Sequence, residues 1–167
     1  APTSGATITV DNTAPTASLA YTISSSAVSN VKQNDVVTLT ATFNENIADS
    51  PVMQISGSGV ETISATDMTK ASATSYTYSW TAPAGDGTQT FALATGTDAA
   101  GNAIIAAPTS GATITVDNTA PTAALAYTVG SSAVTTVKQG NTVTITATFN
   151  ENIAHSPVMQ ISGSGVE

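Results

Sequence analysis

Apolar and polar residues alternate along most of the chain with a period of two. Val37, Leu39, Ala41 and Phe43 are separated by Thr38, Thr40 and Thr42; Tyr76, Tyr78 and Trp80 by Thr77 and Ser79; Phe91 and Leu93 follow the same rule. This pattern predicts strands that bury one face and wet the other, with β-branched Thr suited to the wet side of a pleat. No stretch carries the 3.6-residue stripe of a helix. Gly, Ser, Asp and Pro clusters punctuate the runs, and between them seven strands are expected, near 17–23, 35–43, 51–56, 60–66, 75–82, 88–97 and 111–116. The aromatic residues Phe43, Tyr76, Tyr78, Trp80 and Phe91 fit the interior of such a fold, with a ligand platform as the rival reading.

A second regularity lies over the first. Residues 1–61 recur without a gap as residues 107–167, an offset of 106 positions, and 51 of the 61 residues are identical. A unit of this length can bury its own core, unlike the short units of solenoids, so the expected organisation is beads on a string. The boundaries follow from DNTAPT, which occurs at 11–16 and 117–122, each time between two alternating runs. Proline fixes its own φ and extends the residue before it, so Ala14-Pro15 and Ala120-Pro121 read as short, stiff connectors. Residues 1–12 are then the last strand and linker of a preceding repeat, 13–116 a complete repeat, and 117–167 the linker and first strands of a following one. Seven strands at this spacing predict an all-β, immunoglobulin-like sandwich, repeated in tandem.

Composition narrows the chemistry. Forty-one per cent of the residues are hydrophobic and only 8% charged, which is too apolar for an acidic disordered tail. No run approaches the ~20 apolar residues of a membrane helix, and no basic-then-apolar leader opens the sequence, so no membrane insertion by this segment is expected. Three lysines against eleven acidic residues cannot neutralise a phosphate backbone, which argues against nucleic acid. A net charge of −8 instead favours cations. Without Cys there are no disulfides or thiolate metal sites. The sole His, His155, lies outside the complete repeat, which removes a Ser-His-Asp site from it, and no enzyme activity is expected.

The order TATFNENI, YTYSW, ATGTDAAGN and TITVDNTAPT, repeated over the whole chain, resembles the tandem immunoglobulin-like repeats of large secreted bacterial surface adhesins, of the biofilm-associated, gliding and ice-binding types. The resemblance implies an extracellular stalk at the bacterial cell surface that holds an adhesive module away from the cell, with calcium at the junctions between repeats. Its partners would be the neighbouring repeats of the same chain. Two rivals stay open: a binding module that recognises a glycan or a surface protein through loops or a sheet face, and homotypic association between parallel strings.

Topology gives the calcium idea an independent footing. When the strands of a sandwich alternate in direction, the loops after the second, fourth and sixth strands gather at the end where the linker enters. Asp11 and Asn12 lie in that linker, Glu45 and Asp49 after the second strand, Asp67 after the fourth, and Asp98 and Asn102 after the sixth. Carboxylate and amide oxygens from separate loops are the donor set calcium takes, six to eight at about 2.3–2.6 Å. Asp49 ranks below Asp11, Glu45 and Asp98, because the next copy has His155 in its place and a hard cation prefers oxygen. Asp117, Asn118 and Glu151 are the matching candidates for the following junction. The competing reading is that Asp98-Ala-Ala-Gly-Asn is an ordinary turn, and Asp86 is read the same way.

Overall fold

The alternation becomes two sheets that press their apolar faces together. A computed structural model describes residues 5, 7–153 and 160–163, so His155 lies outside the described residues. The described residues are all-β, with no helix. The chain divides into two compact units, Ala1–Asn118 and Thr119–Glu167.

In the first unit the strands are β1 (Ala17–Ile23), β2 (Ser26–Ala27), β3 (Asn30–Val31), β4 (Val36–Phe43), β5 (Gln54–Ser58), β6 (Ile63–Asp67), β7 (Thr69–Lys70), β8 (Ser75–Thr81), β9 (Gly87–Thr95) and β10 (Thr113–Val116). One sheet runs β2-β1-β4-β8-β7 and the other β3-β10-β9-β5-β6. Their inner faces share one core, in which Leu19, Tyr21, Val37, Leu39 and Trp80 of the first sheet meet Ile55, Phe91, Leu93, Ile114 and Val116 of the second. Phe91 is its centre: the Tyr21 ring lies 5.9 Å away and the Trp80 ring packs edge-on at 5.4 Å. The seven expected strands are all present. The three additional ones, β2, β3 and β7, are two residues long and too short to show a period.

Two of these short strands move the chain between sheets. β1 pairs antiparallel with β4, whereas β3 pairs in parallel with β10 in the facing sheet. β6 pairs with β5, and after the buried Met68 the chain enters β7, which pairs with β8. The first and last segments of the unit therefore run side by side. Leu19 N donates to Ser110 O at 3.0 Å and Thr109 N to Ala17 O at 2.7 Å; further along, Thr115 N donates to Ser29 O at 3.0 Å and Asp117 N to Val31 O at 2.8 Å. Gly111 allows the closest approach: with φ at 70°, an added Cβ would sit 1.9 Å from the Leu19 carbonyl oxygen.

The one fully buried Gln, Gln89, occupies an inward position of β9 and is satisfied by backbone. Its Oε1 accepts from Glu61 N at 2.9 Å and its Nε2 donates to Glu61 O at 3.0 Å. The Glu61 carboxylate in turn accepts from Trp80 Nε1 at 3.0 Å. This clamp ties the β5–β6 loop to both sheets.

The second unit has β11 (Ala123–Val129), β12 (Ser132–Ala133) and β13 (Thr144–Phe149), in the order β12-β11-β13. Ala123 faces Phe149 as Ala17 faces Phe43, and every pair between them keeps the register of β1 and β4. Turn geometry accounts for three of the ten differences between the copies. Ser24 and Asn34 have φ of 48° and 70°, and their counterparts Gly130 and Gly140 keep positive φ without a Cβ. Asp35 and Asn141 each accept from the backbone N–H three residues earlier, Lys32 and Lys138.

Burial at equivalent positions differs between the units, and this yields a direct comparison. Leu39 is wholly buried, while its counterpart Ile145 is exposed. Leu39→Ala is expected to cost the first unit about 2–5 kcal/mol. Ile145→Ala should leave the transition of that unit unchanged. Urea unfolding followed by Trp80, the sole tryptophan, measures both.

Candidate metal centre

The chain entering the first unit is fastened by Asn44, the residue after β4. Asn44 Oδ1 accepts from Thr16 N at 2.7 Å, and Asn44 N donates to Thr16 O at 3.0 Å. Pro15 is fully buried and its carbonyl accepts from Ile105 N at 2.9 Å. The same latch recurs in the second unit, where Asn150 Oδ1 accepts from Thr122 N at 2.7 Å and Asn150 N donates to Thr122 O at 3.2 Å. In the first unit the latch brings the DNTAP segment beside Glu45, the next residue along the loop.

Asp11, Glu45 and Asp98 meet there. One carboxylate oxygen from each lies within 4.8 Å of the other two, with Asp11 exposed, Glu45 partly covered and Asp98 buried. Thr9, Asn46, Ala99 and Ala100 complete an open groove around them. Asp98 is positioned by the turn it begins: Asp98 N donates to Asn102 O at 3.1 Å, Gly101 N to Asp98 O at 3.2 Å, and Asn102 N to Asp98 Oδ1 at 2.8 Å. Asn102 Nδ2 donates both to Asp98 Oδ2 at 2.7 Å and to the Asp11 carbonyl at 3.0 Å, and so sews the linker to the loop after β9. Asp11 Oδ1 accepts from Thr13 N at 2.9 Å. The turn reading of Asp98 and its place in the cluster thus hold together.

The three carboxyls differ electrostatically. Loss of solvent, reinforced by the charges of Asp11 and Asp98, raises the Glu45 pKa above the ordinary carboxylate range, with a hydrogen bond from Asn44 pulling the other way. Loss of solvent also pushes Asp98 up, but the Asn102 side chain and the backbone N–H groups of Asn102, Gly101 and Ala100 outweigh it, and its pKa falls. Their surroundings thus bias the two carboxyls in opposite directions, Asp98 toward the ionised form and Glu45 away from it. The cluster brings together one carboxylate oxygen from each of three residues and no nitrogen or sulfur, a donor type that suits a hard cation.

The other expected residues are engaged elsewhere or lie apart. Asp49 is exposed and its carboxylate pairs with Lys70. Asp67 ends β6 and its Oδ1 accepts from Gln54 Nε2 at 2.7 Å across the β5–β6 ladder. Asn12 is exposed in the linker. Glu151 follows Asn150 in the second unit, with Oε1 shielded from solvent and no hydrogen-bond partner among the described residues. Asp117 N closes the β3–β10 edge by donating to Val31 O. Asn118 occupies a socket at the far end of the first unit: its Oδ1 accepts from Gln33 N, its Nδ2 donates to Gly85 O at 2.6 Å, and its own N–H donates to Asp86 Oδ1. Asp86 therefore holds the departing chain through its carboxylate. Sequence reasoning passed over Asn44 and Gln33; the signal for Asn44 was its recurrence as Asn150 beside a recurring Thr.

No family model, no curated protein and no solved structure matches the chain.

The raised Glu45 pKa has a defined consequence. A carboxyl whose folded pKa exceeds its unfolded value contributes stability below the unfolded value and loses it as pH rises through the folded one. Without metal, Glu45→Gln should therefore raise the Tm at pH 7, and the gain should vanish as pH falls below the carboxylate range. Thermal melts in chelator from pH 3 to 8 test this.

Proposed function

We propose that the chain is a tandem array of immunoglobulin-like repeats serving as the extending stalk of an extracellular bacterial adhesin, with calcium at Asp11, Glu45 and Asp98 stiffening the junction. The observation that carries this reading is the convergence of a linker carboxylate with carboxylates from two loops widely separated in sequence. A divalent cation offsets most of the mutual repulsion of the three carboxylates and gives the linker a reason to stay seated that hydrogen bonds alone do not supply. Once bound, the ion supplies charge and coordination, while Asn44 and Asn102 hold the linker in place to receive it. The facing sheets with strands that cross between them, the 106-residue repeat and the motif order support the immunoglobulin-like assignment. A core filled by its own aromatic rings suits a load-bearing role rather than an enzymatic one.

The expected signature is linkage. Calcium at 100 times its Kd should add about 2.7 kcal/mol of apparent stability, provided the unfolded chain does not bind it. Glu45→Ala and Asp98→Ala should each abolish that increment. Small-angle scattering on a chain with two complete repeats should give a larger maximum dimension with calcium than with chelator. An unchanged melting temperature and an unchanged maximum dimension would together remove calcium from the proposal.

A further inference from the structure

A small cavity opens on the first unit where the edge strand β7 meets the loop after β4. It holds about 90 Å³ between the apolar Val52, Met53 and Met68 and the polar Asp49, Lys70 and Tyr76. Lys70 stands directly opposite Tyr76 in the β7–β8 ladder, so both side chains leave the same, inner face of the sheet. The floor is preformed. Met53 and Met68 are buried, Met68 N donates to Met53 O at 2.9 Å, and Met53 is seated against Gly96, where no Cβ would fit.

The polar groups lie at graded depth. The Asp49 side chain is 85% exposed, the Lys70 side chain with which it pairs 39%, and Tyr76 only 4%. Asp49 above all raises the Lys70 pKa against the loss of solvent, and the nearby Tyr76 oxygen adds to the rise. Yet Tyr76 Oη, shielded from solvent, completes no hydrogen bond among the described residues. A buried hydroxyl left without an acceptor is costly.

Size and charge narrow the occupant. The cavity exceeds the roughly 10–15 Å³ a single water needs and falls well short of the roughly 300–1,000 Å³ of a site that engulfs a whole ligand. It therefore suits one protruding group of a larger molecule. Asp49 already balances Lys70, and a net charge of −8 opposes a further anion.

We propose that this cavity takes the acetamido group of an N-acetylated amino sugar. The carbonyl oxygen accepts from Tyr76 Oη with the Lys70 ammonium beside it, the N–H donates to Asp49, and the methyl lies against Val52, Met53 and Met68. The sugar ring stays outside. An acetylated lysine carries the same group, but β7 offers a peptide only two residues of edge for backbone pairing. The second copy has His155 where the first has Asp49, so this acceptor is not a fixed part of the repeat. Binding needs no metal and does not depend on the stalk reading.

The test is an amide NMR titration of the full chain, in chelator, with the methyl glycoside of N-acetylglucosamine. Saturable shifts at millimolar or lower concentration are expected at 48–53, 68–70 and 76, with none from the glycosides of glucosamine or glucose. Tyr76→Phe should weaken binding about fivefold without lowering the Tm, since the hydroxyl it removes has no partner to lose. The exposed Asp49→Ala should weaken it similarly. An inward lysine on an edge strand also deters strand pairing, a role that needs no ligand. Silence in the titration, equal shifts from the unacetylated sugars, or undiminished affinity in both variants overturns the proposal. So does tighter binding of a peptide carrying acetyl-lysine, since the occupant is then a protein.

Discussion

A sheet with one apolar face is stable only when a second apolar face closes over it. In the first unit Phe91 sits between Tyr21 and Trp80 and joins the two sheets into one interior. The alternating sequence makes such faces cheaply, because each Thr between two aliphatic or aromatic residues points away from the core. It also leaves no intermediate option. The same residues in the second unit, without the later strands, present Leu125 and Tyr127 to water.

The candidate metal centre depends on that closure at one remove. Glu45 and Asp98 approach because β4 and β9 belong to different sheets that are packed together, and the Ile47–Asp98 bridge joins the segments that follow them. Asp11 arrives through the Asn44 latch and the Asn102 bridge to its carbonyl. Neutral amides seat the linker, and the carboxylates then meet with their charges only partly compensated. Electrostatic cost is concentrated on Glu45, whose ionisation is opposed from two sides.

Much of the fold was legible because it rests on period and punctuation. The seven longer strands and the linker follow from Thr alternation and from DNTAPT. The sheet-crossing strands β3 and β7 were not legible, since two residues carry no period and their pairing depends on partners more than sixty residues away in one case. For the site, topology placed Asp11, Glu45 and Asp98 correctly at one end. The His155 counterpart already set Asp49 below them, but nothing in the sequence set Asp67 apart; Asp49 is taken up by Lys70 and Asp67 by Gln54. Composition alone does not assign partners among exposed polar groups. Gln89 was missed for a related reason: its inward position was readable, but the Glu61 backbone that makes its burial tolerable was not.

The side-by-side run of the first and last segments decides how the first unit responds to tension. A pull along the chain at its two ends acts parallel to β3 and β10 and across the hydrogen bonds from Thr115 to Ser29 and from Asp117 to Val31. Those bonds are sheared together and must break together, unlike the rungs of a hairpin peeled from one end. Resistance to extension is therefore written into the direction in which two short strands are laid.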